Sequence, residues 1–208
     1  MVVGASFTAG VGPDNPDRSW AVLLARLLHW NAVIYGVPGA GYVRLGAGRR
    51  GPIAAEIARA DLRAVEPALV IVQAGHDDIG VPPRLERRRV EQAVAVIHAE
   101  APRAKIALLT VFAGRSRSPA AYRADHAIVT GGTAADRNVI IIDPLAAGWT
   151  FARSRDGFHP SAYGSAWIAH KVAGILREHG VLPAPRRRDA AAGTIICDSG
   201  IPAPVRPR

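Results

Sequence analysis

The chain has 208 residues, 49% of them hydrophobic, which is enough to bury one full core without staples. A single cysteine, Cys197, excludes an intrachain disulfide framework, and no apolar run approaches the ~20 residues needed to cross a bilayer. The net charge of +9 is almost all arginine, Lys105 and Lys171 being the only lysines; the basic clusters at 86–89 and 185–188 are not interleaved with aromatics, so no nucleic-acid partner is expected.

In chain order, short Val- and Ile-rich runs alternate with helical patterns. Residues 1–5, 32–36, 68–75, 105–112 and 138–144 read as strands, and most are apolar throughout, as strands covered on both faces are. Between them, 19–30, 52–65, 84–101 and 119–132 read as helices, and 161–180 as the last core helix. In the third of these Val90, Val94, Ile97 and Ala101 share one face, opposite arginines and glutamates. Ser161 suits the N-cap of the last helix and Gly180 its end.

Five such strands predict a three-layer α/β/α domain over 1–182 with a parallel, doubly wound sheet. Residues 183–208 read as a Pro/Arg/Ala-rich tail, in which 193–198 has the composition of a short edge strand. The N-terminus has no basic segment followed by an apolar one, which predicts a cytoplasmic location, or a secreted or cell-envelope one if a leader precedes Met1.

Ligands of such sheets bind outside the carboxyl ends of the strands. The first strand runs into Gly4-Ala5-Ser6, the second into the glycine-rich stretch 36–43, and the third into Gly75-His76-Asp77-Asp78. After the fifth comes Asp156-Gly157-Phe158-His159-Pro160. A serine hydroxyl becomes a nucleophile when an imidazole takes its proton, and a carboxylate then fixes the imidazole and stabilises its cation. Asp156 and His159, three apart in a turn, can present both groups toward Ser6, and glycine-rich turns supply backbone N–H groups to a developing oxyanion. The stretch 36–48 lacks the register of a dinucleotide loop and a phosphate-binding lysine. His76, Asp77 and Asp78 with Asp156 or His159 have zinc-ligand chemistry, but that reading leaves the serine block unexplained. No metal or cofactor is expected.

These blocks, in this order over residues 1–180, resemble the SGNH hydrolases, the superfamily of GDSL-type esterases, lipases and acyltransferases, with a flavodoxin-like fold. The resemblance implies Ser6 as nucleophile, His159 as base and Asp156 as its orienting partner. It implies oxyanion donors from the Ser6 and Gly39 backbone N–H groups and the side chain at 77, with His76 at a variable, substrate-facing loop position.

Two residues depart from the family pattern. Ala5 replaces an aspartate that is supportive in the family. Asp77 replaces an asparagine, and an ionised carboxylate repels an oxyanion where an amide donates to it. Asp77 is therefore protonated through burial and the neighbouring Asp78, or it contacts a donor on a particular acceptor, or the site is impaired. The implied function is hydrolysis of an acyl ester through an acyl-Ser6 intermediate. The alternatives are O-acyl transfer to or from a sugar hydroxyl, and a catalytically silent domain that binds carbohydrate or acyl groups. The partner expected is a small acyl ester, including an acylated carbohydrate or an anionic sugar acceptor. Trp149, Phe151, Tyr42 and Arg44 are candidate pocket walls, and Arg115 and Arg117 candidate anion contacts.

Overall fold

The computed structural model describes residues 1–13, 15–112, 117–182 and 194–198. Its sheet has the order β5-β4-β3-β1-β2-β6 with every pair parallel: β1 (Val2–Gly4), β2 (Ala32–Gly36), β3 (Leu69–Gln73), β4 (Lys105–Leu109), β5 (Ile140–Ile142) and β6 (Ile195–Asp198).

The expected five strands are thus corrected to six. Thr194 N–H donates to Asn31 Oδ1 and β6 pairs with β2, which would otherwise present an open edge. The β-branched pair Ile195-Ile196 is what makes this segment a strand within a stretch whose composition reads as tail. The rest of 183–208 lies outside the described residues.

Alternation along the strands sorts side chains to two cores. Val3, Val70, Val72, Ile106 and Leu108 pack with α3 (Ile53–Arg59), α5 (Pro83–Glu100) and α6 (Pro119–Ala135) on one face. Val2, Ile71, Ala107 and Leu109 pack with α2 (Trp20–Leu27) and α7 (Ala162–Glu178) on the other. Both faces are covered, which is why the strands read as continuous apolar runs. On α5 the predicted stripe Val90, Val94, Ile97 is fully buried.

The pattern over 52–65 is two helices, not one. Asp61, with φ 45°, breaks it, and its carboxylate accepts the Ala64 N–H at the start of the short α4 (Leu62–Val65). Register sets the edge: Gly4 of β1 stands beside Gly36 of β2 and Gln73 of β3, so three connections leave the sheet at one level.

Candidate active site

Ser6 is the first residue of α1 (Ser6–Ala9), a single helical turn that directly follows β1. Ala5, where the family pattern has aspartate, is the N-cap and makes no side-chain capping bond. The turn is held instead from behind. Thr8 donates its hydroxyl to Gln73 Oε1 at 2.9 Å, both residues being buried, and Phe7 stacks on Phe112 with centroids 4.6 Å apart.

The loop before α7 brings the other two groups in. His159 Nε2 lies 2.9 Å from Ser6 Oγ, and His159 Nδ1 lies 2.6 Å from Asp156 Oδ2. With the proton on Nδ1, the ring donates to Asp156 and offers Nε2 to the serine hydroxyl. The other oxygen of Asp156 accepts from Ser154 Oγ (2.8 Å), Phe158 N–H (2.8 Å) and His159 N–H (2.9 Å). Burial pushes the Asp156 carboxyl up, but the bonds from the His159 ring, Phe158, Ser154 and the His159 backbone outweigh it and hold the group well below the usual carboxylate range. Ser154 was not singled out by the sequence; a serine two residues before an aspartate in a turn is its only trace.

On the glycine-rich side of the site, Asp78 is the anchor. Its carboxylate accepts the backbone N–H groups of Tyr42 (2.5 Å), Val43 (3.2 Å) and Arg44 (3.0 Å), fixing the glycine-rich loop after β2. A side chain at Gly41 would put its Cβ 2.3 Å from that carboxylate, so glycine is required there. Gly39, with φ 76°, and Asp77 line one open cleft beside this anchor. Burial first, and then the charge of Asp78, push the Asp77 carboxyl up to about 6, against the opposing pull of His159, its own backbone N–H and Arg44.

His76 is half-buried, its ring 4.5 Å from that of Phe158. Burial lowers its pKa, assisted by His159 and opposed by the Phe112 carbonyl. On the loop after β3, its ring thus packs against Phe158.

Among the pocket-wall candidates, Arg44 lines the cleft, whereas Tyr42 is buried. Trp149 is buried against Phe112 and Trp167, and Phe151 packs edge-on to Phe7 and Phe112. Arg117 lies against Gly148, and Arg115 falls outside the described residues.

A parallel α/β sheet with a Ser–His–Asp array at its carboxyl edge is the architecture of a class of acyl-ester hydrolases. The chain belongs to the GDSL-like lipase/acylhydrolase family, whose model matches residues 2–167. That membership supports an esterase-type hydrolase.

Among curated proteins, none matches the sequence. Among solved structures, the chain is similar to a carbohydrate acetylesterase from Sinorhizobium meliloti at 16% identity and a TM-score of 0.67, covering 85% of this chain and 97% of that one. It is similar to a lipolytic protein of the G-D-S-L family from Desulfitobacterium hafniense at 18% identity and a TM-score of 0.63, covering 84% and 97%. A family-two carbohydrate esterase with its carbohydrate-binding domain, from Corynascus thermopiles, gives 17% and 0.66 over 86% of this chain; this chain spans 65% of that one. At such identities the likeness establishes the fold.

Proposed function

We propose that the protein hydrolyses short acyl esters of carbohydrates through an acyl-enzyme formed on Ser6. The observation that carries this reading is the continuous array Ser6 Oγ–His159 Nε2, 2.9 Å, and His159 Nδ1–Asp156 Oδ2, 2.6 Å. The carbohydrate moiety is suggested by the esterases that share the fold.

Ser6 Oγ attacks the ester carbonyl carbon as its proton passes to His159 Nε2. The carbonyl oxygen becomes an oxyanion facing the Ser6 and Gly39 N–H groups and the protonated Asp77 carboxyl. The carbon–oxygen bond to the alcohol then breaks, and His159 Nε2 returns the proton to the departing alkoxide. Water repeats the sequence on the acyl-serine, with His159 as base, and releases the carboxylic acid and free Ser6. Asp156, charged throughout, holds the ring in one tautomer and stabilises the imidazolium.

The test is labelling by a serine-directed fluorophosphonate, together with hydrolysis of a nitrophenyl acetate, in the wild type and in Ser6→Ala. Both signals vanish in the variant if the reading holds; labelling that survives the substitution, or that never occurs, overturns it. Adding free sugars to the nitrophenyl ester reports the acceptor. Release of free acid undiminished by sugar is the hydrolase result, and acylated sugar is the transferase result.

A further inference from the structure

The cleft that Gly39 and Asp77 share is an open space of about 830 Å³, and Arg44 and Arg49 also line it, with Val81 and Leu85 on its apolar side. These two arginines differ from their neighbours. Arg50 and Arg59 converge on the buried carboxylate of Glu56, whereas neither Arg44 nor Arg49 has a side-chain hydrogen bond or salt bridge among the described residues.

Both residues are nevertheless placed by the backbone. The Arg44 N–H donates to Asp78 at 3.0 Å, so its Cα is fixed by the same carboxylate that anchors the loop of Gly39. Arg49 has φ 52°, in the left-handed region that L side chains disfavour, within a loop that offers Gly46, Gly48 and Gly51 at positive φ on either side. A residue with a long cationic side chain stands at a strained position where glycine would be easier. Among the described residues lining the cleft, Asp77 is the one that is acidic.

We infer that this cleft is a subsite for the alcohol portion of the ester, and that Arg44 and Arg49 there bind an anionic group, a carboxylate or a phosphate, carried by that alcohol. This rests on the assignment of Ser6 and Gly39 given above, which puts the ester carbonyl oxygen beside Gly39 and Asp77, two residues of the cleft lining. A ring-sized alcohol fills the space, its apolar face against Val81 and Leu85. Its anion meets two guanidinium groups able to bind carboxylate or phosphate oxygens in a bidentate manner.

The experiment uses the full chain carrying Ser6→Ala, so that binding is read without turnover. Calorimetry compares an acetylated methyl glucoside, the corresponding glucuronoside, and the corresponding glucoside 6-phosphate. One or both anionic ligands bind about ten-fold more tightly than the neutral one, and the arm that tightens identifies carboxylate or phosphate as the anion. Arg44→Gln with Arg49→Gln brings the ratio to within about two-fold of one, and each single variant gives an intermediate ratio.

Equal affinities in the parent, or a preference that survives the double substitution, overturn the inference. Loss of nitrophenyl acetate hydrolysis or of Ser6 labelling in the wild type is a separate result. It strikes the serine mechanism and leaves the binding comparison readable.

Discussion

Asp78 Oδ2 accepts the N–H of Tyr42 at 2.5 Å, joining residues 36 apart in sequence, while Oδ1 takes those of Val43 and Arg44. One buried carboxylate thereby sets the path of the loop that carries Gly39. Asp78→Ala strands three backbone donors and is expected to destabilise the fold by about 3 kcal/mol, read as the shift in a urea unfolding curve. Asp78→Asn keeps one acceptor and loses about half as much. In both variants kcat/KM falls further than the loss of folded protein explains, because the Gly39 N–H leaves its position.

Asp77, one residue earlier, predicts an unusual pH dependence. Burial and Asp78 push it up to about 6, so its O–H is present below that value and gone above it. kcat/KM should therefore fall as pH rises through about 6. Asp77→Asn supplies a permanent donor, removes this falling limb, and raises the rate at pH 8 by about 10²-fold. An unchanged profile would remove Asp77 from the oxyanion hole.

The same shift bears on stability. A raised folded-state pKa contributes stability that is fully present below the ordinary carboxylate value and is lost as pH rises through about 6. Asp77→Asn is thus expected to gain about 2 kcal/mol over the wild type at pH 8 and little at pH 4, measured by denaturant unfolding at the two values.

Much of this site is legible in the sequence because its parts are ends of strands. Continuous apolar runs announce a sheet covered on both faces, and such a sheet puts Ser6, Gly39, Asp77 and the 156–159 turn along one edge. Contacts between loops are less legible. Asp78 looks like a mere neighbour of Asp77 until the fold turns its carboxylate toward the backbone of 42–44, and backbone donors leave no mark in a sequence. Tyr42, in a glycine-rich loop, reads as a pocket wall, yet Asp78 draws its backbone inward and the ring is buried. The strand at 195–198 shows in the sequence as an edge-strand composition over 193–198, but its partner does not, because local composition says nothing about which sheet edge a segment joins.

Asp156 makes its prediction through charge. Its carboxyl is held well below the usual range by the donors of His159, Phe158 and Ser154, so it stays ionised wherever the enzyme is assayed. Asp156→Asn is expected to lower kcat about 10³-fold or more with little change in KM, because the His159 ring loses its tautomer and the imidazolium its partner. The carboxylate side chain is 43% exposed, so the thermal midpoint should move little. What stability Asp156 does contribute is present above the ordinary carboxylate pKa and is lost as pH falls toward its depressed value. Ser154→Ala removes one of these donors and should reduce kcat only a few-fold.

The seat of His159 depends on an absent side chain. Gly12 has φ 113°, and a Cβ there would lie 2.5 Å from His159 Cβ and 2.7 Å from the Pro160 carbonyl oxygen. Neither neighbour is the far end of a flexible chain, so Gly12→Ala must displace the 159–160 backbone. A shift of a fraction of an ångström at Nε2 breaks the line to Ser6 Oγ, and kcat is expected to fall about 10²-fold with KM nearly unchanged. Backbone strain alone would destabilise the chain by about 1 kcal/mol. Gly180→Ala separates the two effects. Gly180 has φ 63°, and a methyl group there would meet nothing within 4 Å, so that variant carries the strain without the collision. It should lose comparable stability and keep its kcat; equal losses of kcat in both variants would mean that strain, not displacement of His159, is responsible.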